Sequence, residues 1–169
     1  LQFAAVAEPP TIDCHGTTTF AMIHPVVPQY STLLKAVGPH DKTRIVGDLA
    51  ESWEVSPDGL TYTFKTRQGV KWHDGSPFSS ADIKATYDRM LDPETRSLQV
   101  GNLGPYDSTE VVDEYTFTIH LTEPFAPLMA NLSSTQLAPG SPAAFEKFGE
   151  QYAQSPVGTG PFKFDRWEG

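Results

Sequence analysis

A mixed α/β fold, in the α+β sense, is what this sequence predicts, and three observations carry the prediction. Two stretches, Trp53 to Phe64 and Val111 to Leu121, alternate apolar and polar residues around a turn, which is the period-two pattern of a hairpin. Between them Ile83, Tyr87, Met90 and Leu91 recur at helical spacing behind a capping residue. Fifteen prolines and 13 glycines in 169 residues impose many turns and short elements, which excludes an all-α bundle.

Taken in order, Leu1 to Val6 reads as a buried strand that stops at Glu8-Pro9-Pro10, where two prolines remove backbone donors. Phe20, Met22 and Ile23 begin a helical pattern after Thr19. Pro25 and Pro28 interrupt it, and Tyr30, Leu33 and Leu34 resume the apolar face, giving two short helical pieces. Ser56-Pro57-Asp58-Gly59 places proline and glycine where a type I turn wants them, between the alternating Trp53/Val55 and Tyr62/Phe64. Ser79 and Asp82 form a capping-box pattern for the central helix, which Asp92-Pro93 ends. Asp113-Glu114 turns the second hairpin, whose Thr116, Thr118 and His120 face water or a covering loop. Pro124 and Pro127 open a short helix through Leu128 and Leu132, Pro142 opens another through Phe145 and Phe148, and Phe162, Phe164 and Trp167 alternate as a last strand. Trp53 and Trp167 read as core, and Trp72 is the tryptophan available as an exposed stacking face. No internal repeat or linker divides the chain. The last strand runs straight into Gly169, so the chain is expected to be a piece of something longer.

Composition removes several functional classes. Lys+Arg 12 against Asp+Glu 21 gives a net charge of -9, which repels phosphate backbones and anionic lipid, so nucleic acid and membrane surfaces are not expected partners. A mean hydropathy of -0.33 and 38% apolar residues describe a soluble globular chain without a membrane span. The single cysteine cannot form an internal disulfide and says nothing of the compartment. Leu1 to Ala7 is no secretory leader, so any export signal is expected to be absent or already removed.

Catalytic chemistry finds no assembled set. The serines sit in caps and turns without a nucleophile elbow, and Cys14 beside His15 lacks the long-range pairing of thiol enzymes. Asp13, Cys14, His15 and His24, or His73 with Asp74, contain metal-ligating types without zinc-site spacing, so no metal and no cofactor is expected. His73-Asp74-Gly75 reads as a turn in which Asp74 bonds its own backbone and Gly75 takes a positive φ. Gly158-Thr159-Gly160-Pro161 lacks the lysine of a phosphate loop and instead lets one backbone pass close to another. Binding is thereby favoured over catalysis.

Three ordered motifs add a family resemblance. Gly47-Asp48-Leu49-Ala50-Glu51-Ser52-Trp53-Glu54 with Ser56-Pro57-Asp58-Gly59-Leu60-Thr61-Tyr62-Thr63-Phe64, then Gly69-Val70-Lys71-Trp72-His73-Asp74-Gly75-Ser76-Pro77-Phe78 with Ala81-Asp82-Ile83, then Pro156-Val157-Gly158-Thr159-Gly160-Pro161-Phe162, together resemble extracellular solute-binding protein family 5. Glu8-Pro9-Pro10-Thr11-Ile12-Asp13 resembles the loop after that family's first strand, so the likeness spans the chain but only the family's N-terminal third. The resemblance implies a periplasmic binding protein type II-like fold, of which this is part of the first lobe with its inserted small subdomain. Residues 1–34 would belong to that lobe, 35–160 to the subdomain and 161–169 to the strand returning to the lobe.

It further implies an exported, periplasmic component of an ABC importer, with a small-molecule or peptide ligand and a membrane permease as partners. Two lobes would close on a di- or oligopeptide, and no covalent step is required. An oligosaccharide or a metal chelate is the alternative cargo, an exposed Trp72 or Phe125 favouring sugar. A stand-alone interaction domain or a hydrolase ranks lower. Residues expected at the cleft are Cys14, His15, Thr17, Thr18, Thr19, Phe20, Arg96, Leu98, Thr135 and Gln136. Thr17 to Thr19 equally suit helix capping, and Arg96 equally suits a solvated charge. Nickel-binding members carry an arginine near the position of Thr135, which this chain lacks. The full-length form is expected to be monomeric, while the isolated segment is expected to associate through open strand edges.

Overall fold

Residues 11–16, 19–37 and 44–166 are described by a computed structural model. The Leu1–Val6 strand, Thr17, Thr18 and Trp167 lie outside them. Among the described residues no helix is long and apolar enough to cross a membrane.

Pro25 lies inside the first helix, α1 (Phe20–Val26), and Pro28 inside a 3-10 turn, Val27–Gln29, that follows it directly. Two short helical pieces are therefore present, but they end earlier than the apolar spacing of Tyr30, Leu33 and Leu34 suggests. Tyr30 is extended, and Leu34 enters β1 (Leu34–Ala36), which pairs with β2 (Ile45–Gly47). The reason is long-range. The Leu33 carbonyl accepts from the amides of Asp48 and Ala50, and the Leu34 amide donates to Leu132, satisfying this backbone outside any helix.

Both expected hairpins form. β3 (Ala50–Val55) and β4 (Thr61–Thr66) flank the Ser56–Gly59 turn, closed by the Gly59 amide on the Ser56 carbonyl at 2.9 Å. β5 (Tyr106–Asp113) pairs with β6 (Thr116–Leu121), and the four strands make one antiparallel sheet in the order β3-β4-β6-β5. Period-two patterning puts Tyr62, Phe64, Phe117, Ile119 and Leu121 in the core, where the Phe64 and Phe117 rings stack with centroids 5.2 Å apart. The helix α2 (Ser80–Leu91) lies against β5 and β6 with Ile83, Tyr87 and Met90 buried. Its capping box is complete: the Asp82 carboxylate accepts from the Ser79 amide at 3.0 Å. The face of Thr116, Thr118 and His120 is mixed, with Thr118 buried and the other two half-buried.

Short helices α3 (Leu128–Asn131) and α4 (Pro142–Phe148) follow, and Ser141 caps α4 by accepting from the Ala144 amide. A second, smaller core of Ile12, Cys14, Val26, Tyr30 and Ala138 lies apart from the main one. Gly158-Thr159-Gly160 passes against the 3-10 turn, where a Cβ on Gly160 would sit 2.5 Å from the Gln29 carbonyl carbon. The expected close approach is thus present.

Two expectations are corrected. Phe162 to Arg166 form no strand: Gly160 and Phe162 bond the carbonyls of Gln29 and Pro28 in the 3-10 turn, which offers no extended ladder, and Phe164 packs on the smaller core. Trp72 is no exposed face: it is buried against Phe78, and its indole N–H donates to Asp82 at 3.0 Å. Trp53 is half-buried at the margin of the main core.

Candidate functional site

Asp13, Cys14, His15 and Gly16 form a tight turn, closed by the Gly16 amide on the Asp13 carbonyl and by the His15 amide on Asp13 Oδ1 at 2.9 Å. The turn is buried up to Gly16. Arg89, from the last turn of α2, reaches under it and donates to Asp13 Oδ2 at 2.7 Å and to His15 Nδ1 at 3.1 Å. Its guanidinium lies 4.3 Å from the centroid of the Phe145 ring and 5.3 Å from that of Tyr152. Beside it the Tyr30 and Tyr152 hydroxyls share a hydrogen bond at 3.0 Å.

The His15 ring state follows from its partners. An arginine can only donate, so Nδ1 accepts, and Nε2–H donates to the Ala138 carbonyl at 2.9 Å. The ring is neutral, in keeping with the burial that depresses its pKa against the pull of Asp13. Burial works against charge on Asp13 too, but the Arg89 guanidinium and the His15 amide outweigh it and hold the carboxyl below its ordinary value. Burial also pushes the Cys14 thiol well above its usual range.

Asp13, Cys14 and His15 bring three ligand types within 4.8 Å of one another. They do not suit a metal as arranged. Both His15 nitrogens are engaged, the thiol is protonated, and the carboxylate is paired with Arg89. His24 is exposed on α1.

Around this buried turn three sequence-distant segments meet. The Ser97 hydroxyl donates to the His15 carbonyl at 3.1 Å, joining the loop after α2 to the turn. The His15 ring bonds Ala138, which follows the 3-10 turn Thr135–Leu137. Cys14 and His15 thus lie inside, as supports. Thr19 is exposed ahead of α1, which Phe20 opens. Arg96 and Leu98 are exposed, and Thr135 and Gln136 are half-buried. The candidate residues outside the described segments aside, they fall on linked backbone segments with a buried floor and an open rim.

Arg89 is the residue that sequence reasoning passes over. A basic group in a helix's last turn reads as a partner of the helix dipole, and nothing local signals a carboxylate 76 positions away. His73 is the second. Beyond its turn, where Asp74 accepts from the Ser76 amide and Gly75 has φ +93°, its Nε2 bonds the Gly160 carbonyl at 2.8 Å and its amide bonds Gly158. It clamps the returning segment.

Residues 44–169 match the family described as bacterial extracellular solute-binding proteins, family 5, middle. The chain is 40% identical over 124 residues to the glutathione-binding protein GsiB of Pectobacterium atrosepticum, covering 73% of this chain and 24% of the relative. Identity to GsiB of Escherichia coli K12 is 42% over 119 residues, covering 70% and 23%. Among solved structures, MoaA of A. tumefaciens R10 in complex with mannopinic acid has a TM-score of 0.85 at 33% identity, covering 92% of this chain and 32% of that one. DppA of Helicobacter pylori in complex with the peptide STSA has a TM-score of 0.83 at 31% identity, covering 96% and 36%. The chain therefore spans about a quarter of the length of the curated relatives it matches. The family match over residues 44–169, a range that includes Trp72, the cap of α2 and Gly160, means that this chain belongs to the bacterial extracellular solute-binding proteins, family 5.

Proposed function

We propose that the full-length protein is the extracytoplasmic solute-binding component of an ABC importer and that it captures di- or oligopeptides by closing two lobes and presenting them to a membrane permease. One observation carries the reading: the exposed and half-buried residues of the Arg96–Leu98 loop and the Thr135–Gln136 turn are both tied to the buried Asp13–His15 turn. Relatives whose names or complexes specify glutathione and a tetrapeptide support the peptide class. Binding with lobe closure needs no enzyme chemistry and no cofactor. Burial of Trp72 removes one of the two stacking faces that would have supported a sugar, and Phe125 is half-buried.

In this reading residues 1–34 and 161–169 belong to the first lobe and 35–160 to its inserted subdomain. The two separate cores support that division, as do the bonds of Gly160 and Phe162 to residues 28 and 29. Ala138 and Tyr152 nevertheless pack beside the first-lobe residues Cys14 and Tyr30. The full-length form is proposed to be monomeric. The isolated segment is proposed to associate through open strand edges.

Native mass spectrometry of the full-length protein, purified gently from its own host, tests the function. A retained small peptide is the expected result. A retained sugar or chelate would replace the cargo class, and a ligand-free protein whose melting does not shift with any peptide would refute solute capture.

A further inference from the structure

We infer that the His15 ring is a proton-operated latch beneath the candidate site, weakening its hold on solute in acid; the inference rests on the solute-binding reading above. Neutral, the ring accepts from Arg89 and keeps α2 fastened to the Asp13–His15 turn. Protonated, it takes the Asp13 carboxylate for itself and releases Arg89. Nδ1 accepts from Arg89 Nη1 at 3.1 Å, and the same nitrogen lies 3.7 Å from Asp13 Oδ1. A protonated imidazole carries hydrogen on both nitrogens and can no longer accept. Its Nδ1–H would confront an arginine that can only donate, placing two positive charges on one buried carboxylate.

One of the two cations must move away, and their surroundings decide which. The His15 side chain is 1% exposed, and its Nε2–H stays on the Ala138 carbonyl in either state. Arg89 is 21% exposed and borders an open cavity of about 690 Å³ that is also lined by the exposed carboxylates of Asp92, Glu94 and Glu150. The released guanidinium swings outward to these acids, while Nδ1–H closes on Asp13 Oδ1. The remaining ionisable groups beside the ring do not compete: the Cys14 thiol stays protonated, and the buried Tyr30 and Tyr152 hydroxyls bond each other. With Arg89 gone, the Ser97 hydroxyl is left to tie the segment after α2 to a turn that leads into Thr19 and α1. Burial depresses the His15 pKa, so the latch is shut above about pH 6.5 and opens below it.

Calorimetry on the full-length protein, with trialanine and glutathione as probes between pH 7.0 and 5.0, tests the latch. Circular dichroism checks the fold at each pH, and nitrogen NMR follows the His15 ring. Affinity for a probe that binds should fall about tenfold across the range, in step with protonation of the ring. His15→Gln offers a donor and an acceptor without titrating, and should shrink that fall to below about twofold. Arg89→Met should bind at pH 7.0 as weakly as the wild type does at pH 5.0, with no further response to acid. If the ring protonates without a loss of affinity, stays neutral down to pH 5.0, or if His15→Gln keeps the fall, His15 is no latch and the solute-binding reading stands. If neither probe binds at pH 7.0, the peptide reading falls and this inference falls with it.

Discussion

Replacing Arg89 with methionine removes the charge that joins α2 to the Asp13–His15 turn while leaving an apolar stem against Phe145 and Tyr152. The bond to Asp13 spans 2.7 Å between side chains 21% and 9% exposed, and the same guanidinium serves His15 Nδ1 at 3.1 Å. Breaking a buried pair by removing one partner costs about 3–5 kcal/mol, because the other charge stays buried and unpaired. Loss of the ring contacts adds about 0.5–2 kcal/mol. A fifth of the guanidinium side is open to water, which screens the pair, and Asp13 keeps the His15 amide, so the lower end applies: about 3 kcal/mol. Urea unfolding of the full-length protein, followed by circular dichroism, reads this as a fall in midpoint at constant slope. Asp13→Asn with Arg89→Met should recover at least about 1 kcal/mol relative to the summed single losses, since the pair is then gone as a unit. A loss below about 1 kcal/mol, or strict additivity, would refute the claim that this network holds the turn.

Three further outcomes are expected. Gly160→Ala forces a Cβ to within 2.5 Å of the Gln29 carbonyl carbon, a backbone atom that cannot swing away, and should cost about 2–3 kcal/mol in the same urea assay. Asp82→Ala removes the acceptor of both the Trp72 indole and the Ser79 amide and should cost about 2 kcal/mol, with a red shift of tryptophan emission as Trp72 loosens. His15 is held neutral with a depressed pKa, so the unfolded chain takes up its proton first: stability is full above about pH 6.5 and falls as pH drops through that value. Melting followed from pH 8 to 5 should show this fall, and His15→Gln should flatten it.

Much of the fold is legible locally. Ser79 and Asp82 announce the start of α2, Asp92-Pro93 its end, and Ser56-Pro57-Asp58-Gly59 the first hairpin, because each stop or turn is satisfied within four residues. Leu33 and Leu34 mislead for the opposite reason: their spacing suits a helix, but their backbone partners are Asp48, Ala50 and Leu132. Phe162 and Phe164 alternate like a strand, yet Phe162 meets a 3-10 turn and Phe164 packs on the smaller core. At the candidate site Cys14 and His15 can be named in advance, whereas the partners that bury them cannot. Asp13 and Arg89 lie 76 positions apart, and Tyr30 and Tyr152 122 apart.

By itself the sequence determined the mixed architecture, the two hairpins, the capped helix and, through three motifs, the family. Periodicity, caps and turns are properties of neighbouring residues, and they act before the chain is compact. Only the tertiary structure decided that Trp72 is buried, that His73 clamps the returning segment, that His15 is a neutral support with both nitrogens engaged, and that Arg89 secures the turn that His15 sits in. Those outcomes depend on which polar groups lose water together and must find one another, and that is settled by the packing of distant segments.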